Sequence, residues 1–177
     1  MKHVYALVLL LLATSTGLSQ DQNKLDYADE TIFRLNVLTP SAEVEHDITE
    51  NFSLLANVGV GLSITVEEIN NETESDFLFP LILEGSGRYY TNFNRRLEKG
   101  RNIQYNSGNF IGLNLTQVIG VEGDISRVDD QTVLSATYGL QRTYQDFLNF
   151  TFEAGPSYDL EDSDVSLYIG VQIGFTL

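Results

Sequence analysis

The chain has 177 residues, no cysteine, and 10 basic against 25 acidic side chains, a formal net charge of −15. The missing cysteine excludes a disulfide framework and cysteine zinc sites. The acidity argues against nucleic acid as a partner, because phosphate would be repelled. The length suits one domain with a sizeable core.

The N-terminus, MKHVYALVLLLLATSTGLSQ, places Lys2 and His3 before an apolar run from Val4 to Ala13. Gly17 and Ser19 then fit a cleavage after Ser19, so residues 1–19 read as a signal peptide and 20–30 as a polar lead-in. No cysteine follows the run, which excludes a lipidated N-terminal cysteine. No later apolar stretch approaches the ~18 residues of a transmembrane helix.

From Thr31 onward the pattern has period two, the mark of strands. Eight segments emerge in chain order. TIFRLNVLT (31–39) puts Phe33, Leu35 and Val37 opposite Arg34 and Asn36, and Pro40–Ser41 turn into AEVEH (42–46), where Glu43 and Glu45 share a face. FSLLANVGVGLSITV (52–66) alternates throughout except at Leu55. FLFPLILEGSGRYY (77–90) carries Glu84, Ser86 and Arg88 on one face; Pro80 marks a bulge or the start of the strand. NFIGLNLTQVIG (109–120) sets Ile111, Leu113 and Leu115 against Gly112, Asn114 and Thr116. The faces of TVLSATYGLQRTY (132–144) are ambiguous. FLNFTFEAG (147–155) places Glu153 among small polar residues, and VSLYIGVQIGFTL (165–177) is apolar at every odd position. Acidic loops are expected at 67–76, 121–131 and 159–164, and a basic connection at 91–109.

Alternating strands of about ten residues fit either a membrane barrel with apolar residues outward or a lipocalin-like soluble barrel with them inward. The polar face decides. Beyond residue 19 the only lysines are Lys24 and Lys99, outside the strands, and the polar positions are mostly Gly, Ser, Thr and Asn. Such side chains suit the narrow lumen of eight strands. In hydrocarbon every backbone group must pair internally, so the last strand should close onto the first. The fold expected is all-β: an eight-stranded antiparallel up-and-down transmembrane β-barrel over residues 31–177.

Over nearly this whole span the chain resembles the small OmpA/OmpX-type bacterial outer-membrane β-barrel proteins. The resemblance lies in RLNVLTPSAEVEHDITENFSLLANVGVG (34–61), RYYTNFNRRLEKGRNIQYNSGNFIGL (88–113), YGLQRTY (138–144) and GVQIGF (170–175). It implies a bacterial outer-membrane location and insertion by the outer-membrane assembly machinery, which reads a C-terminal alternating strand ending in an aromatic; here Phe175 precedes a terminal Leu177. It also implies both termini in the periplasm, the acidic loops outside and the basic connection on the periplasmic side.

The charged residues on polar faces, Arg34, Glu43, Glu45, Glu84, Arg88 and Glu153, form a candidate lumen network. Buried charges need partners, so the network either packs the lumen or lines a proton-sensitive narrow pore. Arg95, Arg96, Lys99 and Arg101 form a candidate periplasmic basic patch, on an ordered amphipathic turn or against anionic headgroups or an acidic partner; Asn92 could cap a short helix ended by Gly100. His46, near Ser41 and Ser53, has no spacing of a catalytic triad. Asp159, Glu161, Asp162 and Asp164 lack the glycine and terminal glutamate of an EF-hand. N-x-[ST] matches at Asn51, Asn71, Asn114 and Asn149 read as chance, two of them falling inside strands. No catalytic residue, metal site or cofactor is expected. The function expected is that of a monomeric, non-enzymatic barrel in contact with membrane lipid, with a structural or surface-interaction role. A narrow channel or apolar-solute conduit, a lipid A-modifying enzyme and a secreted lipocalin-like binder are the alternatives.

Overall fold

The structure, a computed structural model, describes residues 31–69 and 72–177; the expected signal peptide and lead-in lie outside them. Eight strands close into an antiparallel barrel: β1 (Thr31–Asn36), β2 (Ser41–Thr49), β3 (Phe52–Val60), β6 (Leu81–Tyr90), β7 (Asn109–Ile119), β10 (Gln131–Tyr144), β11 (Leu148–Asp159) and β12 (Val165–Thr176). Each neighbour in space is a neighbour in sequence among the barrel strands, and β12 closes onto β1 through Arg34↔Thr176, Leu35↔Phe175 and Asn36↔Gly174.

Both described chain ends lie at one end of the barrel, called here the near end, with the β2–β3 and β10–β11 turns and the basic connection. The tight β10–β11 turn is made by Gln145 and Asp146, both with positive φ, the backbone that suits the twist of a hairpin. The far end carries the β1–β2 turn and three acidic connections. Two of these are themselves paired, which corrects their reading as loops. β4 (Ser63–Ile69) and β5 (Glu72–Leu78) carry the β3–β6 hairpin upward, and β8 (Val121–Glu122) pairs with β9 (Arg127–Val128). Pro80 lies in the break between β5 and β6, so the long fourth segment is divided where the proline lacks an N–H. Conversely, β1 ends at Asn36, shorter than its alternation suggests, because Val37–Pro40 turn the chain into β2.

The barrel is inside-out relative to a water-soluble domain. Its outer face carries exposed Leu35, Leu54, Ile111, Leu113, Ile169 and Ile173, while the fully buried side chains include Arg34, Glu45, Arg88, Asn114 and Gln141. Leu55, the break in the alternation of β3, points inward and is buried. The ambiguous segment, β10, turns Ser135, Thr137, Gln141 and Thr143 into the lumen. Aromatic side chains gather on the near-end rim: Phe33, Tyr89, Tyr144, Phe147 and Phe175 are all exposed, with Phe147 and Phe175 stacked at 6.2 Å. No helix of the described residues is long and apolar enough to cross a membrane.

Candidate functional site

The lumen holds the chemistry. Strand alternation places residues of one parity inward, so distant sequence positions meet across an interior only one side chain deep. From β1, Arg34 donates through one guanidinium nitrogen to Glu43 at 2.6 Å and Glu45 at 2.8 Å, both on β2. Glu45 also accepts from the hydroxyls of Ser53 at 2.5 Å and Tyr90 at 2.6 Å. From β6, Arg88 donates to Gln141 at 2.9 Å, lies 3.6 Å from Glu153 and covers the ring of Phe110 at 4.5 Å. Glu153 is held in turn by Thr137 at 2.7 Å and Asn114 at 3.1 Å.

Thus five of the six residues in the sequence-derived lumen set are ion-paired. Glu84 is the sixth. It faces the lumen between Asn57 and Thr116 and has no ion pair among the described residues. It is also half-buried, unlike Arg34 and Arg88, which are about 1 % and 0 % exposed.

The basic connection turns inward at the near mouth. It forms a short helix, α1 (Phe93–Glu98), and a 3₁₀ turn at Gln104–Asn106. Phe93 and Ile103 pack with Tyr90 and Phe110 in a buried cluster, the Tyr90 and Phe93 rings stacked at 4.6 Å. Tyr105 and Asn106 adopt positive φ, which directs the turn's backbone into the barrel. The carbonyl of Tyr105 accepts from Arg34 and from Gln141, each at 3.0 Å, and Asn106 donates to Asp47 at 2.8 Å. The segment is a plug stitched to β1, β2 and β10. Gly139 makes room for it, since a Cβ there would collide with the Phe110 ring.

The four basic residues lie on the plug's other side. Arg95, Lys99 and Arg101 are exposed, while Arg96 is half-buried and donates to the Asn102 carbonyl at 2.7 Å. Partial burial, with Arg142 and Arg101 beside it, lowers the pKa of Arg96; a guanidinium still stays charged at neutral pH. Gly100 ends the helix with positive φ, as expected. Asn92 precedes the helix but makes no side-chain cap; its oxygen instead accepts from the Asn109 amide at 2.8 Å, tying together the two ends of the connection.

Other sequence candidates do not assemble. His46 points outward, its ring nitrogen 2.8 Å from Thr31 Oγ1, whereas Ser53 points inward at Glu45. Asp159 accepts from the backbone N–H of Glu161 and Asp162, and Glu161 accepts from Thr132. Among the described residues no group of His, Cys, Asp and Glu could hold a metal ion. Asn114 and Asn149 are buried in the lumen. At the far end, Asp76 accepts from Ser126 Oγ at 3.0 Å and from the amides of Ser126 and Ile125, joining the two far hairpins. Desolvation acts to raise the Asp76 pKa, but these hydrogen bonds outweigh it and hold the carboxyl below its usual range.

No family model matches the chain, and no curated protein or solved structure matches it either. What the molecule does must come from its own geometry.

Proposed function

We propose that the chain is a closed, non-enzymatic barrel of the bacterial outer membrane, seated in lipid by its apolar exterior, with the near end toward the periplasm. The observation that carries this is the inverted distribution of polarity: charges at the axis, aliphatic side chains on the outside. Exposing so many aliphatic side chains to water would favour aggregation, while in a bilayer the same surface is matched. The outer face of β12 runs from Val165 to Phe175, which at ~3.3 Å per residue and a tilt of ~40° rises roughly 25 Å along the axis, matching the apolar band. The near-end aromatic rim is where interfacial rings belong.

A lumen filled by an ion-pair network and a docked plug supports a structural or surface-presenting role, the far-end hairpins being the presented part. Refolding into vesicles tests the reading. The chain is expected to insert, to show heat-modifiable migration on gels, and to give no discrete conductance in planar bilayers. A chain that stays soluble and monodisperse without detergent would refute the membrane seat; steady single-channel openings would refute the closed lumen.

A further inference from the structure

The barrel wall is incomplete at the far end. β1 pairs with only the last part of β12, then turns away at Val37. The Val37 amide donates to the Ile173 carbonyl at 2.8 Å and the Leu177 amide to Phe33 at 2.9 Å, so the odd residues of β12 aim their backbone groups at β1. By the alternation of an antiparallel ladder, Val171, Ile169 and Leu167 aim theirs the same way. Among the described residues, no strand lies there to receive them. On the other flank, the Val60 amide bonds to Pro40 at 2.9 Å, above which β4 pairs with β5 alone. A lateral notch therefore stands above the β1–β2 turn, between upper β12 and β4.

Open sheet edges do not occur against hydrocarbon; irregular or unpaired backbone at that depth must border a polar space. The space is the upper lumen. There Asn57, Glu84, Thr116, Tyr168 and Gln172 are only half-buried, above the sealed floor made by Arg88, Asn114 and Glu153. Its chemistry is that of an acceptor. Glu84 has no ion pair among the described residues, and beside it in register Asn57 Oδ1 is buried with no hydrogen-bond partner. Both lumen guanidiniums are already engaged below. The acids around the rim, among them Asp159, Glu161, Asp162 and Asp164, concentrate cations at that mouth.

We propose that this vestibule binds an amphiphile with an ammonium head, the head on Glu84 and Asn57 and the apolar tail leaving through the notch into the surrounding lipid. Glu153 and Glu43 lie within electrostatic range of Glu84 but are engaged by Arg88 and Arg34 below, which leaves fewer free oxygens than a divalent metal takes and favours a monovalent N–H donor. The notch supplies the second half of the recognition. Its polar edge carries the head inward, while its rims present Leu38, Leu62, Ile64, Leu167 and Ile169 to the tail, all exposed.

The inference rests on the membrane seat proposed above, and the test separates the two. The full chain is inserted into phosphatidylcholine nanodiscs, and insertion is verified by protease protection. It is then photolabelled with octylammonium or octanol carrying a diazirine at the tail end. The ammonium probe is expected to label around the notch, to be displaced by unlabelled octylammonium, and to lose more than tenfold in affinity in Glu84→Gln. Asp146→Asn, which removes a near-end acid, should retain wild-type labelling. Octanol should label the belt without preference for the notch. Glu84→Asp, which keeps the charge, controls for folding and should retain most of the binding. Failure to insert overturns both readings; insertion with labelling spread evenly round the belt, or with Glu84→Gln unchanged, overturns this one alone.

Discussion

The two halves of one lumen are built to opposite ends. Below, Arg34 and Arg88 are fully buried beside acceptors from other strands, and the plug adds the Tyr105 carbonyl to the partners of Arg34, although Nε of both and Nη2 of Arg88 have no hydrogen-bond partner among the described residues. Above, Glu84 occupies the same face of β6, four residues from Arg88 and within electrostatic range of it, yet makes no ion pair among the described residues and is half-buried toward the far mouth. The same strands thus deliver a sealed floor and a receptive cup, and the difference follows from which neighbours the register provides. A charge ion-paired across strands is a structural joint; a charge outside any ion pair and beside an opening is a contact waiting for a donor.

The contrast can be broken most severely at its lower half. Arg34→Ala leaves Glu43 and Glu45 buried without their cation and is expected to cost about 3–5 kcal/mol, read as a lowered urea midpoint in vesicles, whereas Glu84→Gln in the upper half should cost less than about 1 kcal/mol. Equal losses would abolish the distinction. On the outside, Leu113→Arg at mid-height of β7 should cost about 2–4 kcal/mol, against about 0–1 kcal/mol for Leu167→Arg near the far rim; refolding titrations in bilayers measure both. Gly139→Val, which drives a side chain into the Phe110 ring beneath the plug, should cost about 1–3 kcal/mol and speed amide exchange at Ser107 and Gln141.

The smallest effect lies at Asp76. Its folded pKa is depressed from 3.8, so the contact it makes between the far hairpins holds at full strength above that value. The contact is lost as pH falls through the lower, folded pKa. Amides of Ile125 and Ser126 should lose protection on acidification below about pH 4, with protection in the barrel wall unchanged, and Asp76→Asn should remove the pH dependence.

Sequence periodicity made the wall legible because a strand with one face in each of two unlike environments must alternate. Each of the eight segments contains one barrel strand, though 63–66 and 77–78 belong to the far β4–β5 hairpin instead, and Arg34, Glu43, Glu45, Arg88 and Glu153 take paired inward positions. β10 resisted because Arg142 sits on the outer parity, where its guanidinium folds back onto the Gly108 carbonyl at 2.7 Å and Asn109 at 2.6 Å. The short helix of the basic connection and its end at Gly100 were legible, but its seating in the lumen as a plug was not. Its form depends on left-handed backbone at Tyr105 and Asn106, of which only the asparagine favours that region, and on a carbonyl acceptor that meets donors 71 and 36 residues away. The notch was hidden for a related reason. TIFRLNVLT alternates beyond the point where β1 ends, and only the register with β12 reveals how little of that strand is covered.

The bond from Arg34 to the Tyr105 carbonyl has a consequence for biogenesis. Arg34 belongs to the first strand and Gln141 to the sixth, and both clasp the same peptide oxygen in the middle of the chain. That oxygen can be shared only once the seam between first and last strands has shut, so seating of the 91–108 segment reports completion of the cylinder.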